Sequence, residues 1–266
     1  MFIIWGTRHV RQHRGYVADF CAICRGIKRF HVSDIRVAHH FFFIPFAKSE
    51  TTSQMRACTA CGQQSFPEPG TYDAFVADAQ ADIDTLVRET NPALLEKLTE
   101  RLVLEERAKQ SLAGLSAGER TTLLTEPFVA LSEQVGRRFA RGGCSNILAS
   151  LALVASLFLF CLWIVYSDEP GSATRTLAWV AGVVSWILFP ASLYFFATSS
   201  RRYMKGRIVP LLARALKPLE PTEPELAKVI ETLEADGYKI AWKLKAEWIL
   251  ASIRTPQASA SEQRGR

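Results

Sequence analysis

Histidine is absent after His40. All five residues, His9, His13, His31, His39 and His40, fall in the first 40 positions, so the rest of the chain lacks imidazole for acid–base or metal chemistry. No His-Glu-x-x-His pair and no glycine-rich loop ending in Gly-Lys-Ser/Thr occurs, which excludes the zincin and phosphate-loop signatures. Only five apolar residues precede Gly6, fewer than the roughly 7–15 of a secretory signal. Charge of either sign is missing from residues 147–166 and again from residues 177–197. These absences favour a non-enzymatic chain with membrane segments.

The charge that is present is segregated. The 266 residues total +6, but residues 1–70 carry +5, residues 71–135 carry −6, residues 136–175 carry +2 and residues 176–266 carry +5. A basic head, an acidic middle and a basic tail are therefore separate regions.

The two uncharged runs, "ILASLALVASLFLFCLWIVY" and "LAWVAGVVSWILFPASLYFFA", are each long enough, at about 1.5 Å per helical residue, to cover a bilayer core of roughly 30 Å. The turn-rich "SDEPGSATR" between them predicts an antiparallel transmembrane hairpin with both chain ends on one side. Arg137, Arg138 and Arg141 precede the first run; Arg201, Arg202, Lys205 and Arg207 follow the second; the loop holds only Arg175. That bias places both termini in the cytoplasm and the chain in the inner membrane. Trp163, Tyr166 and Trp179 suit the outer interface. The pairs Ala152/Ser156, Ala178/Gly182 and Ala181/Ser185 suit close helix approach, within the hairpin or between chains.

On the cytoplasmic side disulfides do not persist, which gives meaning to "CAIC" and "CTACG". Cys21 and Cys24, then 33 residues, then Cys58 and Cys61 form two knuckles whose four thiolates make a closed tetrahedral zinc site. Gly62 suits the turn after the second knuckle. The interval exceeds the compact ribbon spacing of about 15–20 residues, so it predicts an extended hairpin arm of two or three short strands from "IKRFHVSDIRV" and "HHFFFIPF". A rubredoxin-like iron centre shares the paired spacing and stays as the alternative metal. A thioredoxin-type pair lacks its βαβ context. His31, His39 or His40 is available as a substitute ligand, although nothing requires one.

"FIIWGTRHV", "FFFIPF" and "CTACG" resemble a small bacterial zinc-ribbon family over about residues 1–66. The resemblance puts Cys21, Cys24, Cys58 and Cys61 on that family's metal positions, and implies a ribbon commonly followed by membrane spans. Ala22 stands where the family usually has proline. No biochemical activity comes with the resemblance.

The remaining segments read as helical. "TYDAFVADAQADIDTLVRE" places Phe75, Ala79, Ile83 and Leu86 on one face. Asn91-Pro92 predicts an N-cap and first turn, Ser116 to Glu119 a capping box, and Thr125-Glu-Pro a last helix. This acidic part is read as a small bundle, or as a protein-binding face. "GRIVPLLARALKPLEPTEP" is amphipathic and basic, suited to an anionic leaflet. Thr222 to Glu225 caps another helix ending at Gly237. "YKIAWKLK" fits either a strand or a helix, with the alternation favouring a strand. Residues 255–266 read as a disordered tail.

The expected fold class is thus a multi-part membrane protein. It comprises a β zinc ribbon (1–70), an acidic helical region (71–142), two transmembrane helices (147–166 and 177–197), a basic cytoplasmic α(+β) segment (201–254) and a tail. The expected function is membrane-anchored interaction or scaffolding with a protein or lipid partner. One alternative is nucleic-acid binding by the basic ribbon, with Arg8, Arg11, Arg14, Arg25, Lys28, Arg29 and Arg36 on phosphates and Phe41–Phe43 stacking on bases; the other is electron transfer by a rubredoxin-like iron centre.

Overall fold

The structure, a computed structural model, describes residues 5–41, 44–45, 50–68, 70–141, 144–166 and 172–255. The readings for Phe42, Phe43, residues 167–171 and the tail from Pro256 fall outside these residues. An antiparallel β-sheet opens the chain and the remainder is mostly helical. Two compact units form: one joins residues 1–134 to residues 209–266, and the other is residues 135–208.

In the first unit, β1 (Trp5–Cys21) pairs along its length with β2 (Gly26–Phe41). β2 also pairs with β3 (Ile44–Pro45) and β4 (Glu50–Cys58), and β4 with β5 (Gln64–Ser65). The arm between the knuckles is present, but its two principal strands are 17 and 16 residues long rather than short. Full pairing is the reason: residues 5–20, which carry no clear alternation, are held extended by a partner that has it. Val17, Phe30, Val32, Ile35 and Met55 are buried along the sheet.

A register shift between His13 and Gly15 bulges β1 and admits the following segment. Tyr16 N–H donates to the Val76 carbonyl at 2.7 Å, and Val76 N–H returns to Tyr16 at 3.1 Å. A Cβ on Gly15 would lie 2.8 Å from the Val76 oxygen, so this approach requires glycine. The contact also corrects a helix expectation. Residues 72–82 are not helical, and α1 spans only Ile83–Thr90, because Val76 is taken by the sheet and Asp82 caps the helix from its side chain. Ala18, Leu86, Val87 and Leu94 then form a buried cluster between sheet and helices.

Asn91 ends α1 rather than starting the next helix, its N–H donating to Val87. α2 covers Leu94–Gln110 and α3 covers Ala117–Arg141. The capping box at the start of α3 forms, with Ser116 N–H on Glu119 Oε2 at 2.9 Å and Glu119 N–H on Ser116 Oγ at 3.2 Å. Pro127 lies inside α3, so Thr125 opens no helix. Phe128 and Leu131, both fully buried, hold the kink-prone turn in a core.

The C-terminal part of this unit is α6 (Val209–Leu216), α7 (Glu223–Ala235) and α8 (Ala246–Arg254). α6 buries Val209, Leu212, Ala213, Ala215 and Leu216; its apolar stripe is core, not a membrane-facing surface. The Thr222/Glu225 capping box and a left-handed Gly237 (φ 79°) bound α7. "YKIAWKLK" is not a strand: Ala241–Lys243 is a 3₁₀ turn that leads into α8. Ile240, Ala241 and Leu244 are buried while Trp242 is 61% exposed, which breaks a two-residue alternation. Arg120 of α3 ties the two chain segments together, donating to Glu225 Oε1 at 2.6 Å, Oε2 at 3.1 Å and the Leu219 carbonyl at 3.1 Å.

The second unit holds α4 (Cys144–Tyr166) and α5 (Ser172–Tyr203), ending in a widened π turn at Met204–Ile208. The two helices pack as an antiparallel pair. Ser185 Oγ donates to the Ser156 carbonyl at 2.8 Å, and the two hydroxyls lie 3.3 Å apart. Trp163 meets Trp179 edge-on at 5.8 Å, and a Cβ on Gly182 would lie 2.8 Å from the Trp163 ring. The small residues Ser156, Gly182 and Ser185 thus serve the hairpin itself. Among the described residues one run, Arg175–Leu219, is long and apolar enough to cross a membrane; the apolar run Ser150–Tyr166 is shorter.

Candidate metal centre

The site is built where β1 ends and β4 ends. Cys21 closes β1, and the turn through residues 22–25 carries Cys24. Cys58 closes β4, and Cys61 follows in the second turn. Phe30 pairs with Cys58 across β2 and β4, so the register of the arm brings the second knuckle to the first.

All four sulfurs lie within 4.8 Å of one another. Cys21 Sγ to Cys61 Sγ is 3.5 Å and Cys24 Sγ to Cys58 Sγ is 4.0 Å. A tetrahedron with metal–sulfur bonds of about 2.3 Å has edges of about 3.8 Å, which these two distances bracket. All four are free cysteines, with Cys21 and Cys58 buried and Cys24 and Cys61 half-buried. Among the described residues this cluster is the set of His, Cys, Asp and Glu side chains able to hold a metal.

Backbone geometry supports each knuckle. Cys24 N–H points at Cys21 Sγ at 3.4 Å, and Gly62 N–H donates to the Cys58 carbonyl at 2.8 Å with φ 74°. Where a glycine would be expected after the first knuckle, Arg25 adopts a left-handed φ of 55°. Its guanidinium is anchored on Glu105 of α2, with Nε–Oε2 at 2.7 Å and Nη2–Oε2 at 2.6 Å. Glu105 also takes Arg101 at 2.7 Å, and Arg101 reaches Glu126 of α3. Burial pushes the Glu126 carboxyl up, against the pull of Arg101.

As thiols the four groups share protons unequally. Hydrogen bonds from Cys21, Cys24 and Cys61 hold Cys58 far below the ordinary thiol range, and the hydrogen bond with Cys21 lowers Cys24. Cys21 is pushed up by Cys24, Cys58 and Cys61 and by burial. At Cys61 the contact with Cys21 pulls down, but Cys24, Cys58 and burial outweigh it. Cys21 Sγ lies 3.3 Å from Gln63 Oε1, and Gln63 Nε2 donates to the Ala130 carbonyl of α3 at 3.3 Å.

Sequence reasoning did not single out Gln63 or Glu105, and nothing local marks them. Both are buried polar residues whose partners lie far along the chain. His13 and His31 stand elsewhere: His31 stacks on His13 at 4.4 Å and reaches Ser33, and burial followed by the His13 charge lowers it.

One segment bears on catalysis. Gly114-Leu115-Ser116-Ala117-Gly118 spells Gly-x-Ser-x-Gly. It follows a 3₁₀ turn rather than a strand, and Ser116 Oγ donates to Glu119 at 2.9 Å as a helix cap. A nucleophile elbow needs a strand-to-helix turn that presents a free hydroxyl; this segment is a cap.

No protein-family model, curated protein or solved structure matches the chain. The likeness to zinc ribbons therefore rests on the quoted segments and the thiol geometry.

Proposed function

We propose that the chain is a membrane-anchored interaction protein whose head is held by a structural zinc ion on Cys21, Cys24, Cys58 and Cys61. The observation that carries this reading is the four-sulfur cluster at tetrahedral spacing. Four thiolates fill the coordination sphere, which suits a structural ion and leaves no position for substrate. Zinc is favoured over iron by the basic head and by Arg25 in place of glycine; a colourless purified protein supports it, and visible absorption contradicts it.

The anchor is the hairpin. Its apolar surface points outward, with Leu177 70%, Trp186 71% and Val165 65% exposed, a pattern expected of lipid-facing helices. The chain before residue 135 and the chain after residue 208 belong to one compact unit, which fits two spans with both ends on one side. The excess of arginine and lysine at residues 137–141 and 201–207 assigns that side to the cytoplasm. Trypsin digestion of sealed vesicles tests this. Residues 1–134 and 209–255 are cut in inverted vesicles and protected in right-side-out ones. Release of the intact chain by alkaline carbonate overturns the anchor.

The nucleic-acid reading has less support. Arg14 and Arg36 lie on Asp34, Arg25 lies on Glu105, and Arg29 binds the carbonyls of Ala79 and Ala81. Four of the seven cations it needs are thus engaged within the chain.

A further inference from the structure

Beside the first knuckle lies a cleft of about 290 Å³. Four cationic side chains line it, each from a different element: Arg25 from the knuckle turn, Lys28 from β2, Lys109 from α2 and Arg214 from α6. No carboxylate is among its lining residues. Like charges converging in one concave cleft raise its potential and attract an anion.

The four cations differ in what they have to offer. Arg25 is preset: Glu105 clamps one edge of its guanidinium, and the other nitrogen, Nη1, is buried without a hydrogen-bond partner among the described residues. Lys28 makes no ion pair among the described residues. Lys109 meets Glu106 at 3.1 Å in a pair whose side chains are 63% and 58% exposed, a contact that contributes little. Arg214 donates from Nη1 to the Ala60 carbonyl at 3.1 Å, which fixes the guanidinium while leaving its charge unmatched.

We propose that this cleft binds a phosphoryl group, carried by a soluble phosphoester or by a phospholipid headgroup. A single carboxylate would match one of the four charges, whereas a phosphate monoester carries about −1.5 to −2 and several acceptor oxygens. Guanidinium forks suit those oxygens. The volume is at the lower end of ligand cavities, roughly 300–1,000 Å³, so it takes a headgroup or a monophosphate rather than a dinucleotide. Ile23, Ala108 and Pro218 supply an apolar wall for the carbon portion of the ester. Cys24 also lines the cleft, so the site rests on the metal reading to the extent that the metal holds the knuckle.

A zinc tetrathiolate itself carries a formal charge of about −2 and competes as the counter-charge for these cations. Calorimetry on the full chain, purified in a maltoside detergent and titrated with inorganic phosphate, decides between them. Metal content is measured on the same sample. Saturable binding that weakens about tenfold or more in Lys28→Gln/Lys109→Gln, and again in Arg214→Gln, supports the site. Loss of phosphate binding after transfer to phosphatidylglycerol nanodiscs identifies the lipid as occupant; retention identifies a soluble ester. A metal-loaded protein with no saturable phosphate binding, or with affinity unchanged in both variants, overturns the proposal. Phosphate binding by a folded protein without metal would instead refute the zinc reading and leave the cleft standing.

Discussion

In the unit built from residues 1–134 and 209–266, the side chains sealed from solvent include Phe30, Phe128, Leu131 and Leu212; in the hairpin they include Ser156, Ser185 and Ser192 beside Ala178, while Trp186 and Leu177 face outward. The first arrangement is that of a core facing water, where apolar burial stabilises and the buried polar groups, Glu105 and Asp34 among them, are paired. The second puts small hydroxyl residues at the contact and large apolar ones on the outside, the order expected where the solvent is hydrocarbon. Large apolar side chains are therefore sealed inside the first unit and turned outward on the hairpin.

The largest effect that sharpens this contrast is loss of one thiolate. Cys58→Ser leaves three ligands, and structural zinc contributes on the order of 10 kcal/mol or more to small metal-bound folds. The expected outcome is rapid proteolysis of the sheet unit with membrane insertion unchanged, read by limited digestion of washed membranes. A head that keeps native protease resistance would break the comparison.

Next is a matched pair of truncations. Phe128→Ala, at a fully buried site, is expected to cost about 3–5 kcal/mol. Trp186→Ala, 71% exposed on the hairpin, is expected to stay within about 0.5 kcal/mol in a bilayer. Denaturant titration of the two variants in bicelles checks both. Equal losses would mean that the hairpin is packed like a soluble core.

A smaller effect is confined to one unit and to acid. The Arg120 hydrogen bond, aided by the Thr222 cap, lowers the Glu225 carboxyl to about 2. Its stabilisation is full above the ordinary carboxylate range near 4.3 and is lost as pH falls through about 2. Wild type should therefore lose more stability than Glu225→Gln on acidification from pH 5 to pH 2, measured as the difference in unfolding temperature. Parallel curves would remove the Arg120–Glu225 link as an anchor between α3 and α7.

The smallest expected change is Ser185→Ala, which removes a hydroxyl bond between α4 and α5 at 2.8 Å. Interhelical bonds of this kind contribute about 0.6 kcal/mol in membranes. Steric-trap unfolding in bicelles resolves a change of that size.

Much of the site was legible because thiol spacing is a local property: two Cys-x2-Cys pairs and Gly62 announce a knuckle pair without reference to the fold. The capping boxes at Ser116 and Thr222 were legible for the same reason. What escaped depends on distant partners. Val76 is drawn into the sheet by Tyr16, which stops a helix that periodicity alone supports. Asn91 precedes proline as an N-cap would, yet its N–H closes the helix before it. The stripe on α6 is what a leaflet-binding helix would show, but α8 returns to pack against it. Glu105 lies in a helix of balanced charge and ordinary composition, and only Arg25, 80 positions earlier, makes it part of the candidate site's support.

Elemental analysis of the intact, detergent-purified chain tests the central claim most directly. The account predicts about one zinc ion per chain, with Cys21, Cys24, Cys58 and Cys61 protected from alkylation until a chelator removes it. Stoichiometric protein without bound transition metal, or with those four thiols freely alkylated in the native state, would contradict it.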